Sequence, residues 1–285
     1  MSEEENVSMK VSGFTFLNGA VKRGYPFRES IRSALPICDE FVVVVGDEED
    51  GTAEAVSALA DPKIRLYRSS WNNHVDIFVL AQQTNIAFYN CTGDWAFYIQ
   101  GDEILHEEDQ ELLLSQMRKH LENPQVEGLA FDYVHFYGNH NTQAWSPRWY
   151  RQEVRVFRNS LRLVFPSDGL FAILMKTSRR SRYLKALVSG AKMYHYGWVQ
   201  SDSMRNAGQS KSNDYGKVDP GSLRRFEGTH PKIMHDVLRM EQTELFRADP
   251  NHQLTSRERR HKFLAVLERM FGLDFSKKHF YKAKG

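Results

Sequence analysis

The run FVVVVG at 41–46 constrains the fold more than any other stretch of the chain. Its valines are β-branched and stiff at χ1, and a strand with no polar alternation must be covered on both faces. Burying each valine is worth roughly 1.5–3 kcal/mol, so neither face can be left to water. A doubly covered strand predicts α/β layering with mostly parallel strands, and helices should therefore flank it in sequence. The neighbours fit that order. VSGFTFL (11–17) alternates apolar residues as a strand, PFRESIRSAL (26–35) reads as a helix, and TAEAVSALA (52–60) as another. KIRLY (63–67) is a strand, VDIFVLAQQTNIAFYN (75–90) a long helix, and DWAFYI (94–99) a fourth strand. There is no internal repeat.

The charge balance narrows the partners. With 38 basic and 36 acidic residues the net charge is +2, without the strong basic excess of a phosphate-binding nucleic-acid surface. Two cysteines, Cys38 and Cys91, cannot build a disulfide framework or a Cys-x-x-Cys metal pair. MSEEENVSMK has no basic-then-apolar leader pattern, and no apolar run reaches membrane-spanning length. The expectation is a cytoplasmic protein without a transmembrane segment. Peripheral contact with a membrane is open to the basic stretch Arg257, Arg259, Arg260, His261 and Lys262, for which a solvated helix face is the simpler reading.

AFYIQGDEILHEED (96–109) concentrates acid where a buried strand ends. Glu107, Glu108 and Asp109 belong to the first turn of a helix over EEDQELLLSQMRKHL, where carboxylates complement the helix dipole. Asp102 and Glu103 precede that helix. A turn would account for Asp102, but strand ends of an open α/β sheet are also where ligands bind. Downstream, VEGLAFDYVHFYG (126–138) is a strand. AWSPRWYRQEVRVFRN (144–159) is either a strand pair with outward arginines or a groove gripping a polar ligand. From 201 onward SDSMRNAGQSKSNDYG, HPKIMHDVLRMEQTELF and TSRERRHKFLAVLERMF read as helices, a C-terminal extension packed on the sheet domain.

Taken in order, several segments resemble the family 2 glycosyltransferases, which have the GT-A fold. Thr15 and Asn18 match a Thr-x-x-Asn segment after the first strand, and Asp50, Gly51 and Thr52 match an Asp-Gly-Thr turn after the second. Asn85 matches one member of an Arg-Asn pair, GDWAFYIQGDE resembles the Gly-Asp-Trp strand ending in Asp-x-Asp-Glu, and YHYGWV (194–199) resembles a downstream His-containing strand end. The resemblance implies a GT-A-like Rossmann-type mixed sheet over 1–200, with a nucleotide-binding half (9–123), an acceptor half (124–200) and the helical extension at 201–285. It implies an inverting transfer of sugar from a nucleotide-diphosphate donor to the hydroxyl of a glycan, lipid or other acceptor, assisted by Mn²⁺ or Mg²⁺. Asp102 and His195 would hold the metal, with Thr15, Asn18, Asp47, Asp50, Asn85, Gln100, Gly101 and Asp102 around the donor. Glu103 would touch the metal through water or orient a neighbour. Asp168, in the turn FPSDGLF, is the candidate base, with Glu153 and Asp132 in reserve.

The departures are specific. Gln100 replaces the first Asp of Asp-x-Asp, Val45 stands where a base-binding Asp is usual so that Asp47 would replace it, and Thr84 replaces the arginine beside Asn85. The base of the nucleotide is therefore not implied. The rival reading is a non-catalytic GT-A-like domain that binds a nucleotide or glycan. A metal phosphohydrolase would use His235-Asp236, which lacks its partner motifs, and a Rossmann dehydrogenase would need the absent Gly-x-Gly-x-x-Gly.

Overall fold

The computed structural model describes residues 9–199, 217–238 and 244–283. Four strands, β1 (Val11–Leu17), β2 (Glu40–Val45), β3 (Ile64–Arg68) and β4 (Trp95–Tyr98), lie parallel in the order β3-β2-β1-β4. The valine run serves both faces as its chemistry requires. Phe41, Val43 and Val45 join one apolar cluster with Ile31 of α1 (Phe27–Ala34) and Leu113 of α4 (Gln110–Lys119). Val42 and Val44 join the other, with Ala87 and Phe88 of α3 (Phe78–Tyr89). The short α2 (Thr52–Ser57) follows β2.

The sheet then changes character. It continues as β4-β7-β6-β10-β9-β8, where β7 (Gln152–Arg158) runs antiparallel to both neighbours, while β6 (Gly128–Ala144) and β10 (Arg180–Val199) are long and mutually parallel. β8 (Leu163–Val164) and β9 (Ile173–Thr177) complete that edge. After β4 the chain turns through Gln100, Gly101 and Asp102 into β5 (Glu103–Leu105), which pairs antiparallel with β10 so that Glu103 lies opposite His195. That pairing places Asp102 beside the far end of β10, as the backbone bond from Tyr196 N–H to the Asp102 carbonyl shows (2.8 Å).

The C-terminal region is helical at α5 (Ser256–Phe271), which starts with a Thr255/Glu258 capping box. It also returns twice to the sheet, as β11 (Leu223–Arg225) on β6 and β12 (Phe280–Lys282) on β10. These three-residue strands carry no periodic signal of their own, because partner strands rather than local pattern recruit them. Of the helix expected over HPKIMHDVLRMEQTELF, the described residues form a 3₁₀ turn at Lys232–Met234 and helix at His235–Leu238, and 239–243 lie outside the described residues. The segment SDSMRNAGQSKSNDYG lies outside the described residues.

The arginines of the 144–159 stretch are engaged within the fold, including the exposed Arg148. Arg148 and Arg151 reach Glu258 (3.2 Å) and Glu268 (2.5 Å) of α5. Arg158 donates to the carbonyls of His120, Leu121, Asn123 and Val126 beyond the end of α4, at 2.6–3.1 Å, and lies over the Trp95 ring. Arg155 is wholly buried. The planar guanidinium forks tie distant segments together.

Candidate active site

A cavity of about 300 Å³ opens at the C-terminal ends of β1 and β4, where an α/β sheet of this order offers its ligand crevice. Phe16, Leu17 and Asn18 enter it from β1 and the residue beyond, and Gln100, Gly101 and Asp102 from the turn after β4. Arg23 and Tyr25 close one side, and Trp71 stands 6.2 Å ring to ring from Phe16. A Cβ at Gly101 would meet Leu17 Cδ2 at 2.5 Å, so a side chain there would have to displace the Leu17 methyl. The charge of Asp102 is felt across the cavity: burial first and Asp102 second push the Tyr25 hydroxyl up to about 12, against the pull of Arg23.

Asp102 Oδ2 stands 3.7 Å from His195 Nε2. Behind His195, its Nδ1 meets Nδ1 of His135 at 2.9 Å, and His135 Nε2 meets the Tyr150 carbonyl at 2.6 Å. A carbonyl only accepts, so His135 carries its proton on Nε2. Burial, and secondarily His195, hold His135 well below the usual histidine range, which keeps it neutral and leaves Nδ1 as an acceptor. His195 must then donate from its own Nδ1, and in the neutral ring the Nε2 lone pair faces Asp102. A hydrogen-bonded second ring nitrogen of this kind orients metal-binding histidines. Gly197 makes the approach possible, since a Cβ there would fall 2.5 Å from Asp102 Oδ2 and 2.6 Å from His195 Nε2. The ladder between β6 and β10 slips its register between His195 and Trp198, around Gly197. An oxygen and a nitrogen donor on rigid supports suit a divalent cation that takes its remaining ligands from phosphate oxygens and water. Among the described residues no group of three or more His, Cys, Asp or Glu could hold an ion unaided.

Glu103, the next residue, has a different environment. It is fully buried and receives Arg155 Nε (3.0 Å) and Nη2 (2.8 Å), the Tyr133 hydroxyl (2.6 Å) and the Gln100 backbone N–H (3.0 Å). With four donors satisfied and no face on the cavity, it is not placed to act as a catalytic acid or base. It orients a neighbour, fixing the Gln100 backbone from behind.

The glycosyl transferase family 2 profile matches residues 26–178, just over half of the chain. The chain belongs to glycosyl transferase family 2. Thr15, Asn18 and His195 lie outside the matched stretch. No curated protein sequence matches the chain significantly. Among solved structures it is similar to S. aureus TarS 1-349, with 18% identity and a TM-score of 0.44 over 66% of this chain and 60% of that one. It is also similar to glucosyl-3-phosphoglycerate synthase from Mycobacterium tuberculosis, solved with Mn²⁺, UDP and phosphoglyceric acid, at 14% identity and a TM-score of 0.31 over 45% and 44%. The chain thus spans less than two thirds of either protein.

Family-like residues divide by location. Asn18, Gln100, Gly101 and Asp102 line the cavity, and His195 faces Asp102. Asp47, exposed at the end of β2, accepts from Trp71 N–H (3.1 Å) and so sets the cavity's aromatic wall rather than entering it. Asp50 accepts from Thr52 N–H (3.0 Å) and Lys22 N–H (2.9 Å), pinning the turn before α2 to the loop after β1. Thr15 is buried within β1. Asn85 clasps the Phe165 backbone, donating to its carbonyl (2.8 Å) and accepting from its N–H (3.0 Å). Thr15, Asp50 and Asn85 do not line this cavity.

Asp168 is half-buried in its turn and accepts from Leu170 N–H (3.1 Å). It does not line the cavity, but a Cβ on the adjacent Gly169 would meet the carbonyl of cavity-lining Leu80 at 3.1 Å. Of its reserves, Glu153 is buried against His279 (2.6 Å) and Asp132 accepts from Gln152 (2.7 Å). Trp198 packs among Tyr137 and Trp149. Sequence reasoning missed His135, Tyr133, Arg155 and Gly197. A buried charge in the apolar alternation of VRVF, and a second histidine in the strand DYVHFYG, were the available signals.

Proposed function

We propose that the protein is a glycosyltransferase that moves a sugar from a nucleotide-diphosphate donor to an acceptor hydroxyl, with inversion and with the help of a divalent cation. The carrying observation is the pair Asp102 Oδ2 and His195 Nε2, 3.7 Å apart, with His135 fixing the proton of the far nitrogen. Asp102 and His195 would hold Mn²⁺ or Mg²⁺, which when bound offsets the negative charge that develops on the leaving diphosphate. Arg23, on the side closed by Tyr25, is ion-paired with Glu48 (3.1 Å) and would reach a diphosphate by sharing that pair, while Phe16 and Trp71 offer faces on which a nucleobase stacks. Glu103 and Arg155 hold the turn bearing Asp102 from behind.

In an inverting transfer the acceptor oxygen attacks the anomeric carbon opposite the diphosphate while a base takes its proton. Asp168 is the candidate base, because its turn packs on α3 beside Leu80 at the cavity's edge. The acceptor is a hydroxyl of a glycan, lipid or small molecule.

Gln100 favours a second reading, a nucleotide-binding domain without turnover, since its side-chain amide donates to the Tyr98 hydroxyl (3.2 Å) and supplies no carboxylate. Calorimetry with UDP, GDP, dTDP and CDP, each with Mn²⁺, Mg²⁺ or EDTA, separates the readings when combined with hydrolysis of the matching nucleotide-sugar. Metal-dependent binding of one nucleotide with slow donor hydrolysis is expected. Binding without any turnover would establish the second reading, and no binding by folded protein would reject both.

A further inference from the structure

The faces of α5 are reversed relative to an ordinary surface helix, which turns its apolar stripe inward. Toward the body it presents Glu258, Ala265 and Glu268, and the two acids are held by Arg148 and Arg151. On the opposite side Phe263, Val266 and Met270 follow at three- and four-residue spacing and form a single stripe. Phe263 is 62% exposed, Met270 68% and the following Phe271 62%. Leu273 and Phe275 extend the apolar surface past the helix end. Several large apolar side chains exposed on one helix and the turn beyond it mark an interaction surface rather than scattered surface hydrophobics.

The surrounding charge identifies what the patch meets. Residues 256–285 contain nine Lys and Arg against three Asp and Glu. All three acids are ion-paired: Glu258 with Arg148, Glu268 with Arg151, and Asp274 with Arg151 and Lys278. The charge left facing outward is therefore basic, with exposed Arg259 and Arg260 in the first turns and Lys262 just beyond. The same sign prevails more broadly. Residues 124–285 hold 28 basic and 15 acidic residues, whereas 1–123 hold 10 and 21.

We propose that α5 docks on the anionic surface of a lipid bilayer, with Phe263, Met270 and Phe271 in the boundary between headgroups and acyl chains and Arg259, Arg260 and Lys262 on headgroup phosphates. An apolar face rimmed by Lys and Arg has the composition of an interfacial helix, and basic residues near a negative leaflet each add attraction that salt screens. A second copy docked through this face would set two basic rims against each other. No helix among the described residues is long and apolar enough to cross a membrane, so the contact is peripheral.

Co-sedimentation of the full chain with vesicles of phosphatidylcholine alone, and of phosphatidylcholine mixed with phosphatidylglycerol, tests this at low and high salt. Binding to the anionic vesicles only, weakened by salt, is expected. It should fall by about tenfold or more in F263S/M270S/F271S and, separately, in R259E/R260E, with the thermal midpoint unchanged because every altered side chain is exposed. Absence of binding to anionic vesicles, equal binding to neutral ones, or binding untouched by either variant set would overturn the proposal. So would a wild-type dimer, seen by light scattering, that the triple serine variant converts to monomer.

Discussion

Asp102 and Glu103 are adjacent in the chain and differ in almost everything else. Asp102 lines a cavity and faces a histidine nitrogen at 3.7 Å, whereas Glu103 is sealed under Arg155, Tyr133 and a backbone amide. The cause is local geometry: Asp102 belongs to the turn after β4, at the open ends of the strands, whereas Glu103 is the first residue of β5 and lies opposite His195 in the ladder with β10. Asp102 keeps a face toward the cavity, whereas the hydrogen bonds to Glu103 come from donors buried with it. The lesson is that acidic neighbours in a family motif can carry separate tasks.

The contrast can be broken from either side. The largest effect is expected at the sealed carboxylate, where Arg155→Met strands Glu103 in the interior and should cost about 3–5 kcal/mol of stability by urea or thermal unfolding. A loss below about 1 kcal/mol would mean that water reaches Glu103 and that it resembles its neighbour after all. Asp102→Asn is expected to act in reverse, leaving unfolding nearly unchanged while lowering kcat by about 10²–10³, the loss typical when one group that stabilises developing charge is removed. Gly197→Ala should follow at about tenfold weaker metal-dependent nucleotide binding, since its Cβ forces Asp102 and His195 apart and overpacking costs about 1–3 kcal/mol. Binding equal to wild type would show that the two groups need not converge.

The smallest effect is in pH. Because the His135 pKa is depressed in the folded protein by burial and by His195, the unfolded chain takes up the proton more readily. Its contribution to stability is present above the ordinary histidine pKa and declines as pH falls below about 6.5. Thermal midpoints between pH 5 and 8 should slope downward toward acid, and His135→Asn should flatten that slope. A slope unaffected by the substitution would assign the acid sensitivity elsewhere.

What could be read in advance follows the range of the forces involved. The parallel half was readable since each of its strands announces itself locally, and β1 occupies the same seven residues that its alternation predicts. The arginine stretch was opaque because the acids that claim Arg148 and Arg151 lie 110 and 117 residues downstream, far beyond any periodicity. Family resemblance singled out Asp102 and His195, which the fold brings to 3.7 Å, whereas spacing alone leaves Asp102 open to a simple turn. His135 belongs to no motif, and its part follows only from the register that sets it opposite His195. Among the resembling residues, Asn85 and Asp50 do not line the cavity and bond to backbone groups instead, because sequence identity at a position does not say which way the side chain is pulled.

The pairing of β5 with β10 has a temporal consequence. A ribosome delivers Asp102 long before His195, and at roughly 5–20 residues per second the roughly 90 intervening residues occupy about 5–20 seconds. During that interval the four parallel strands are already synthesised, with their connections local, while the edge that β10 will cover is still open. The polypeptide therefore matures from one end, and Asp102 and His195 are brought together late, when a single strand arriving from the second half closes β5, β6 and β9 into one sheet.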